Sequence, residues 1–188
     1  MSAYQDLENS IFLFIAEDMR NVVLDVIMPA ASNYLYWIPV LAIFLGYCYT
    51  KDKTNTTLLI ISAVAAVCLN ELLVSQFLKE LIMRVRPCTA FPDTTFLGSC
   101  TSSYSFPSAH AANSFAIFAA TAYFFHRFWH YALAGAVLVS FSRIYLGVHY
   151  TSDVLAGAVI GLIVAFGIAA FLEVSFNKQK DKNKKTVW

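Results

Sequence analysis

Long apolar runs dominate the chain and limit what it can fold into. Of its 188 residues, 59% are hydrophobic and 13% are charged, whereas a soluble domain carries about 25% charged residues. Five runs approach the roughly 20 residues that a helix needs to cross a bilayer. They cover residues 33–50, 57–78, 106–126, 131–148 and 153–174. We therefore predict an all-α, integral membrane helical bundle with about five transmembrane helices.

The N-terminal segment differs from these runs. Residues 4–30 mix apolar side chains with charged ones, namely Glu17, Asp18, Arg20 and Asp25. That composition predicts an amphipathic helix that lies at the membrane interface instead of crossing it. The polar, acidic start of the chain is also unlike a cleavable secretory signal. We expect a membrane-embedded domain over residues 1–176 and a basic cytoplasmic tail over residues 177–188.

Lysine and arginine placement predicts the orientation of the bundle. Lys51 and Lys53 separate the first two spans, and Arg127 separates the third from the fourth. Five more lysines follow the last span: Lys178, Lys180, Lys182, Lys184 and Lys185. Five alternating spans put all these charges on one side, which the positive-inside rule makes cytoplasmic. Segment 88–105 then faces outward, which for a bacterial inner membrane is the periplasm.

Three polar motifs fall at the outer ends of the predicted spans, where charge is costly and indicates function. In the first motif, Lys79 and Arg86 share a helix face about 10 Å apart if the helix continues beyond the second span. Pro87 predicts that this helix stops with Arg86 in its last turn. Arg84 projects elsewhere, and we interpret it as a snorkelling residue at headgroup level in preference to a catalytic one.

The second motif, Phe106-Pro107-Ser108-Ala109-His110, opens the third span. Either Ser105 or Ser108 is a suitable N-cap. The free N–H groups at a helix start bind anions, and His110 adds a titratable group. The alternative is a capped helix that has a histidine in its first turn and no further role.

In the third motif, Asp153 follows His149 by four residues. Either both are helical and stack one turn apart, or Thr151 or Ser152 caps the fifth span and His149 lies in the preceding turn. In both cases the carboxylate can bind one ring nitrogen and leave the other as a nucleophile or base. Arg143 adds a planar fork suited to phosphate oxygens.

Together these residues lack the carboxylate cluster of a magnesium site and the ligand set of a zinc site. We therefore predict phosphoryl transfer through a histidine, with no metal or other cofactor. The bilayer is an expected partner and nucleic acid is not, and the oligomeric state stays open. A channel or transporter is a weaker alternative because the charges cluster at one end of the spans.

In order and spacing, the motifs KELIMRVRP, FPSAH and SRIYLGVHYTSD resemble the three signatures of the type 2 phosphatidic acid phosphatase family, which is related to vanadium haloperoxidases. The single departure is Ala109, where the family usually has glycine. The resemblance implies a phosphate-binding set made of Lys79, Arg86, Ser108, Ala109 and Arg143.

The resemblance also implies the roles of three catalytic residues. His149 attacks phosphorus to form a phosphohistidine, and Asp153 orients it. His110 protonates the leaving oxygen and then activates water. The expected substrates are undecaprenyl diphosphate, then phosphatidylglycerol phosphate, then the 1-phosphate of lipid A. A lipid phosphotransferase that uses the same phosphohistidine is the enzymatic alternative.

Two further points stay open in the sequence. Cys88 and Cys100 both lie in the outward segment, where they form either a disulfide or two free thiols. Glu71 either pairs with a cation of the site or makes a helix-packing contact. Cys48 and Cys68 are expected to be inert apolar side chains.

Overall fold

A computed structural model describes residues 3–92, 94 and 96–185. These residues form helices and connecting loops, with no strand among them. The helices are α1 (Ala3–Leu13), α2 (Val22–Ser32), α3 (Tyr34–Lys51), α4 (Lys53–Asn70), α5 (Lys79–Ile82), α6 (Pro87–Ala90), α7 (Ala109–Phe124), α8 (Trp129–Tyr145) and α9 (Thr151–Lys185). The predicted all-α class is therefore confirmed.

The contact between α7 and α9 is the most extensive in the bundle. Alanines of α7, including Ala112 and Ala116, are fully buried. On α9, a Cβ atom added at Gly161 would lie 2.0 Å from the backbone oxygen of Ala112. Small residues allow helix backbones in a membrane to approach this closely. The close packing places the first turns of α7 and α9 side by side.

The predicted course of the second span needs a correction. From α4 the chain continues as a π-helical segment, Glu71–Leu78, and then as α5. Met83 has a left-handed backbone (φ 52°) and ends the helix, so the prediction that it runs to Arg86 was wrong. Arg86 instead has an extended backbone and precedes α6, which begins at Pro87. Lys79 and Arg86 therefore do not share one helix face.

The sequence predicted a single helix over residues 4–30, but the structure divides this segment into separate helices. A π-helical turn, Phe14–Asp18, ends α1, and α2 begins after Asn21, whose side chain accepts hydrogen bonds from Val23 and Leu24. Phe12 and Glu8 are buried against the rest of the protein. This helix is therefore docked on the bundle through specific side chains, which its amphipathic composition did not reveal.

Two helical stretches, Lys53–Ala90 and Thr151–Lys182, are long and apolar enough to cross a membrane. The pair α2 and α3 counts as a third if its 67° bend lies within one span. Helices α7 and α8 have 16 and 17 residues, slightly short of the usual crossing length. Helix length and composition therefore do not confirm the count of five spans that the sequence predicted. The tail is helical up to Lys185, and residues 186–188 lie outside the described part of the chain.

The basic loops lie at one end of the bundle. Phe128, beside Arg127 in the α7–α8 turn, contacts Phe44 and Tyr47 near the end of α3, with ring centroids 5.4 and 6.0 Å away. Near the far end of α9, Glu173 accepts a hydrogen bond from Tyr123 at 2.5 Å. The three polar motifs lie at the opposite end, as alternating helices require.

Candidate active site

His149 and Asp153 form a buried pair at the start of α9. His149 is 2% exposed and Asp153 is fully buried. The Nδ1 atom of His149 lies 3.4 Å from Oδ2 of Asp153. Helix α9 begins at Thr151, so His149 lies in the turn before the helix, as one of the two predicted arrangements requires.

The cap of α9 differs from the prediction. Neither Thr151 nor Ser152 precedes the helix, because both lie within its first turn. Oδ2 of Asp153 accepts the backbone N–H of Tyr150 at 2.9 Å. A carboxylate three residues into a helix often binds the N–H before it in this way. Asp153 therefore holds the turn that contains His149 as well as its ring.

Contacts on both sides of the imidazole define its tautomer. Nη1 of Arg86 lies 3.3 Å from Nε2 of His149, and a guanidinium can only donate hydrogen bonds. Nε2 is thus the acceptor, and Nδ1 carries the proton that faces Asp153. Burial lowers the pKa of His149 to about 4, although the hydrogen bond with Asp153 opposes this shift. At neutral pH the ring is uncharged, and its Nε2 lone pair is directed toward Arg86.

The loop before α7 fixes the position of Arg86. Its Nε and Nη2 donate to the backbone oxygen and the hydroxyl of Ser103, at 2.7 and 2.9 Å. Its Nη1 donates to the backbone oxygen of Val148 at 3.0 Å. Cys88 of α6 and Cys100 of this loop form a disulfide, which answers a question that the sequence left open. Arg86 is therefore anchored on two sides next to the imidazole.

Helix α7 begins beside this pair. Of the two predicted caps, Ser108 is the N-cap, and its hydroxyl accepts the N–H of Ala111 at 3.5 Å. The backbone N–H of Ser108 donates to the backbone oxygen of Asp153 at 3.0 Å. Ala109 and His110 lie in the first turn, where the N–H groups have no acceptor within the helix. His110 is exposed, in contrast to the buried His149.

Two more cations lie close to the histidines. Lys79 is 7% exposed, and the charges of Arg86 and Arg143 act on it electrostatically. His110 interacts in the same way with a group of four residues: Arg143, His149, Lys79 and Arg86. The structure thus brings together all eight residues that the sequence predicted for the site. Like charges crowded together in this way favour an anion among them.

Arg143 has a buried side-chain donor that no described residue accepts from. Its Nη1 donates to the hydroxyl of Ser32, the last residue of α2. Its Nε atom is buried and has no hydrogen-bond partner among the described residues. A buried donor without a partner is costly. The arrangement is therefore suited to an acceptor oxygen supplied by a ligand.

Sequence reasoning missed three residues that contact Asp153 or its neighbours. The hydroxyl of Ser105, predicted only as a possible cap, donates to Asp153. Arg84, interpreted as a snorkelling residue, donates to Oδ1 of Asp153 at 2.7 Å and to Glu8 at 2.5 Å. The snorkelling interpretation was wrong because it placed Arg84 on a continuing helix, whereas the helix ends at Met83. The docking of α1, which delivers Glu8, has no signal in the local pattern.

The remaining predictions concern residues at the margin of the site. Glu71 is exposed, and its charge acts on Lys79 without a direct hydrogen bond between them among the described contacts. Cys48 is buried and Cys68 is exposed, and both are free thiols. Among the described residues, no group of three or more histidine, cysteine or acidic side chains is arranged to hold a metal ion.

A helical membrane protein with a buried histidine–carboxylate pair, a second histidine and clustered cations has the groups needed for phosphoryl transfer through histidine. The chain belongs to the PAP2 superfamily, whose family model matches residues 55–176. The matched region includes all eight predicted site residues.

Relatives and a solved structure agree with this assignment. The chain is 36% identical to phosphatidylglycerophosphatase B of Bacillus subtilis over 154 residues, which cover 76% of this chain and 70% of the relative. It is 37% identical to an undecaprenyl-diphosphatase of Sulfolobus acidocaldarius over 132 residues, 69% of this chain and 60% of the relative. The crystal structure of a transmembrane PAP2-type phosphatidylglycerolphosphate phosphatase from Bacillus subtilis superimposes with a TM-score of 0.68 at 28% identity. That match covers 92% of this chain and 88% of the other.

Proposed function

We propose that the protein is a membrane lipid phosphatase that hydrolyses a lipid phosphate or diphosphate through a phosphohistidine. Membership of the PAP2 superfamily and relatives named as lipid phosphatases support the enzyme class. The observation that carries the mechanism is the geometry of His149. Its Nδ1 is held by Asp153, and its Nε2 lone pair is directed toward Arg86.

In the first step, Nε2 of His149 attacks phosphorus. The P–N bond forms while the bond from phosphorus to the leaving oxygen breaks. His110 protonates that oxygen, which is why its exposure beside the buried pair matters. Asp153 accepts the hydrogen bond from the Nδ1–H group of His149 and stabilises the positive charge that the imidazole gains. In the second step, His110 takes a proton from water, the resulting hydroxide attacks phosphorus, and the P–N bond breaks to release inorganic phosphate.

The cations hold the phosphate oxygens during both steps. Lys79, Arg86 and Arg143 neutralise the charge that spreads over these oxygens, as phosphoryl transfer requires. Arg143 offers a buried Nε donor without a protein partner among the described contacts. Ser108 and the N–H groups near Ala109 add the positive end of the α7 dipole. A methyl group at Ala109 leaves its N–H donor intact.

For topology, we propose five membrane crossings with the site at the outer face and the basic tail in the cytoplasm. The lysine and arginine bias supports this orientation, and the structure separates the basic loops from the polar motifs. For substrate, we propose undecaprenyl diphosphate, then phosphatidylglycerol phosphate, then the 1-phosphate of lipid A. Transfer of the phosphoryl group to an acceptor other than water is the alternative outcome.

The decisive experiment compares His149→Ala with His126→Ala in purified, detergent-solubilised protein. His126 is part of the turn at the opposite end of the bundle, so its loss tests the general effect of removing a histidine. Phosphate release from the three lipids is measured for each variant. His149→Ala should lose turnover while it still folds, and His126→Ala should keep both turnover and melting temperature. Turnover by His149→Ala at the wild-type rate would refute the histidine mechanism.

The same assay separates the proposed chemistry from two alternatives. Activity should persist in excess chelator, and a loss that a divalent ion restores would contradict a metal-independent reaction. Addition of an alcohol or lipid acceptor should not divert the phosphate. If a phosphorylated acceptor forms in place of inorganic phosphate, the protein is a phosphotransferase.

A further inference from the structure

Arg84 connects the N-terminal helix to the carboxylate of the histidine pair. Its Nη1 donates to Oδ1 of Asp153 at 2.7 Å, and its Nη2 donates to Oε2 of Glu8 at 2.5 Å. Arg84 is part of neither the phosphate-binding set nor the catalytic pair. It touches Asp153 on the oxygen that faces away from His149, whose Nδ1 is next to Oδ2.

Glu8 completes this connection with its second oxygen. Oε1 accepts the backbone N–H of Ser152 at 3.2 Å and also the hydroxyl of Ser152. Ser152 is in the first turn of α9, one residue before Asp153. Glu8 is 6% exposed, and a carboxylate so buried needs partners of this kind. It therefore binds both Arg84 and the helix start that carries Asp153.

Aromatic packing holds the connection in place. The guanidinium carbon of Arg84 lies 4.1 Å from the ring centroid of Tyr150, a distance at which cation–π attraction is favourable. Phe12, one turn after Glu8 on α1, packs against Tyr150 with ring centroids 5.4 Å apart. It also contacts Phe91 at 5.8 Å. A polar and an apolar side chain of α1, Glu8 and Phe12, thus both contact residues next to Asp153.

We propose that Arg84 and Glu8 are positioning residues that orient Asp153 and, through it, the attacking nitrogen of His149. This inference rests on the proposed function. Oδ2 of Asp153 is shared by three donors, namely the ring of His149, the hydroxyl of Ser105 and the N–H of Tyr150. Arg84 occupies the other oxygen. Its bond prevents the carboxylate from rotating away from the imidazole, and Glu8 fixes the guanidinium in turn.

The proposal predicts a specific kinetic effect. Arg84→Gln should lower kcat about tenfold to hundredfold, the range expected for one charge-assisted hydrogen bond. KM should change little, because Arg84 does not contact the phosphate-binding set. Arg84→Lys keeps the charge but cannot bridge both carboxylates, so it should recover only part of the loss. Glu8→Gln should lower kcat less, since an amide oxygen still accepts from Arg84.

A double-mutant cycle tests whether the two residues act as a unit. The Arg84→Gln/Glu8→Gln variant should lose less kcat than the product of the two single effects, because part of the effect of Glu8 reaches Asp153 through the guanidinium. Two matched controls should keep wild-type kcat: Asp6→Asn on the exposed side of α1, and Arg127→Gln in the distant α7–α8 turn. Wild-type kcat in Arg84→Gln, or effects of the two substitutions that simply multiply, would overturn the proposal.

The His149→Ala variant separates this inference from the proposed function. If His149→Ala is inactive and Arg84→Gln is fully active, only the positioning role fails. If His149→Ala is active, both fail. Should the wild type release no phosphate from any of the three lipids, the readout becomes the rise in melting temperature caused by orthovanadate. Arg84→Gln must then show a smaller rise than Asp6→Asn, and an equal rise overturns the positioning role.

Discussion

Gly157 of α9 packs against the start of α7. A substitution there tests whether the close packing of these helices positions the site. A Cβ atom at this residue would lie 2.3 Å from the backbone oxygen of Ser108 and 3.2 Å from the Cβ of Ala111. Ser108 is the N-cap of α7 and a predicted phosphate-binding residue. We predict that Gly157→Ala lowers activity strongly while the protein still folds.

The magnitude follows from the contact distances. A carbon and a carbonyl oxygen normally approach to about 3.3 Å, so the added methyl must separate the two backbones by about 1 Å. The obstacle is a backbone atom, which cannot rotate away as a side chain does. A displacement of about 1 Å between catalytic groups can lower the rate by about 100-fold. The clash costs about 1–3 kcal/mol in stability, and the better helix propensity of alanine offsets about 1 kcal/mol of that.

Gly167→Ala is the matched control for this test, because it makes the same change on the same helix where no atom beyond the neighbouring backbone of α9 itself lies within 4 Å of the new Cβ. It should keep full activity and gain up to about 1 kcal/mol from helix propensity. The assay is phosphate release from a lipid phosphate in detergent, together with the melting temperature of each variant. If Gly157→Ala is as active as Gly167→Ala, the start of α7 does not need its present position beside α9, and the reasoning fails.

Three further predictions concern His149, the outer disulfide and Arg86. Burial keeps the pKa of His149 at about 4 in the folded protein, whereas the same side chain in the unfolded chain titrates near the ordinary histidine pKa of 6.5. The free energy of unfolding of the wild type should therefore fall as the pH drops between these two values, by up to about 3 kcal/mol. In His149→Gln, the melting temperature should depend less on pH between about pH 7 and about pH 4.5. Replacing Cys88 and Cys100 by serine removes the closure of a short loop, worth about 3 kcal/mol. The melting temperature and kcat/KM should both drop, and unchanged values would show that the loop does not hold Arg86. Arg86→Lys cannot reproduce the guanidinium contacts and should lower kcat/KM about tenfold or more; an active variant would contradict the assigned anchoring.

The sequence predicted which residues come together better than it predicted the path of the chain. All three motifs meet, and Ser108 caps α7 as one of two predicted alternatives. These features depend on local signals such as capping residues, side-chain charge and the length of apolar runs. The position of the motifs at one end of the bundle required only that successive helices alternate in direction. Tertiary contacts did not have to be known.

The missed features depend on contacts between distant segments. Nothing near Arg84 in the sequence indicates Glu8, which lies 76 residues away. The end of α5 at Met83 was also missed, because Pro87 gave a stronger local stop signal a few residues later. Met83 adopts a left-handed backbone although it is neither glycine nor asparagine, so its residue type does not predict the end of the helix. In both cases the tertiary structure decided between conformations that the local pattern could not distinguish.

Asp153 explains why three motifs so far apart in the sequence form one site. Its Oδ2 atom binds Ser105, just before the second motif, and its Oδ1 atom binds Arg84, inside the first motif. Its backbone oxygen accepts the N–H of Ser108 in the second motif, and its own motif supplies His149. One buried residue, Asp153, thus contacts all three motifs directly through its carboxylate and its backbone oxygen. Because the carboxylate needs these partners to remain buried and charged, the contacts that assemble the site are the same ones that keep the nucleophile aligned.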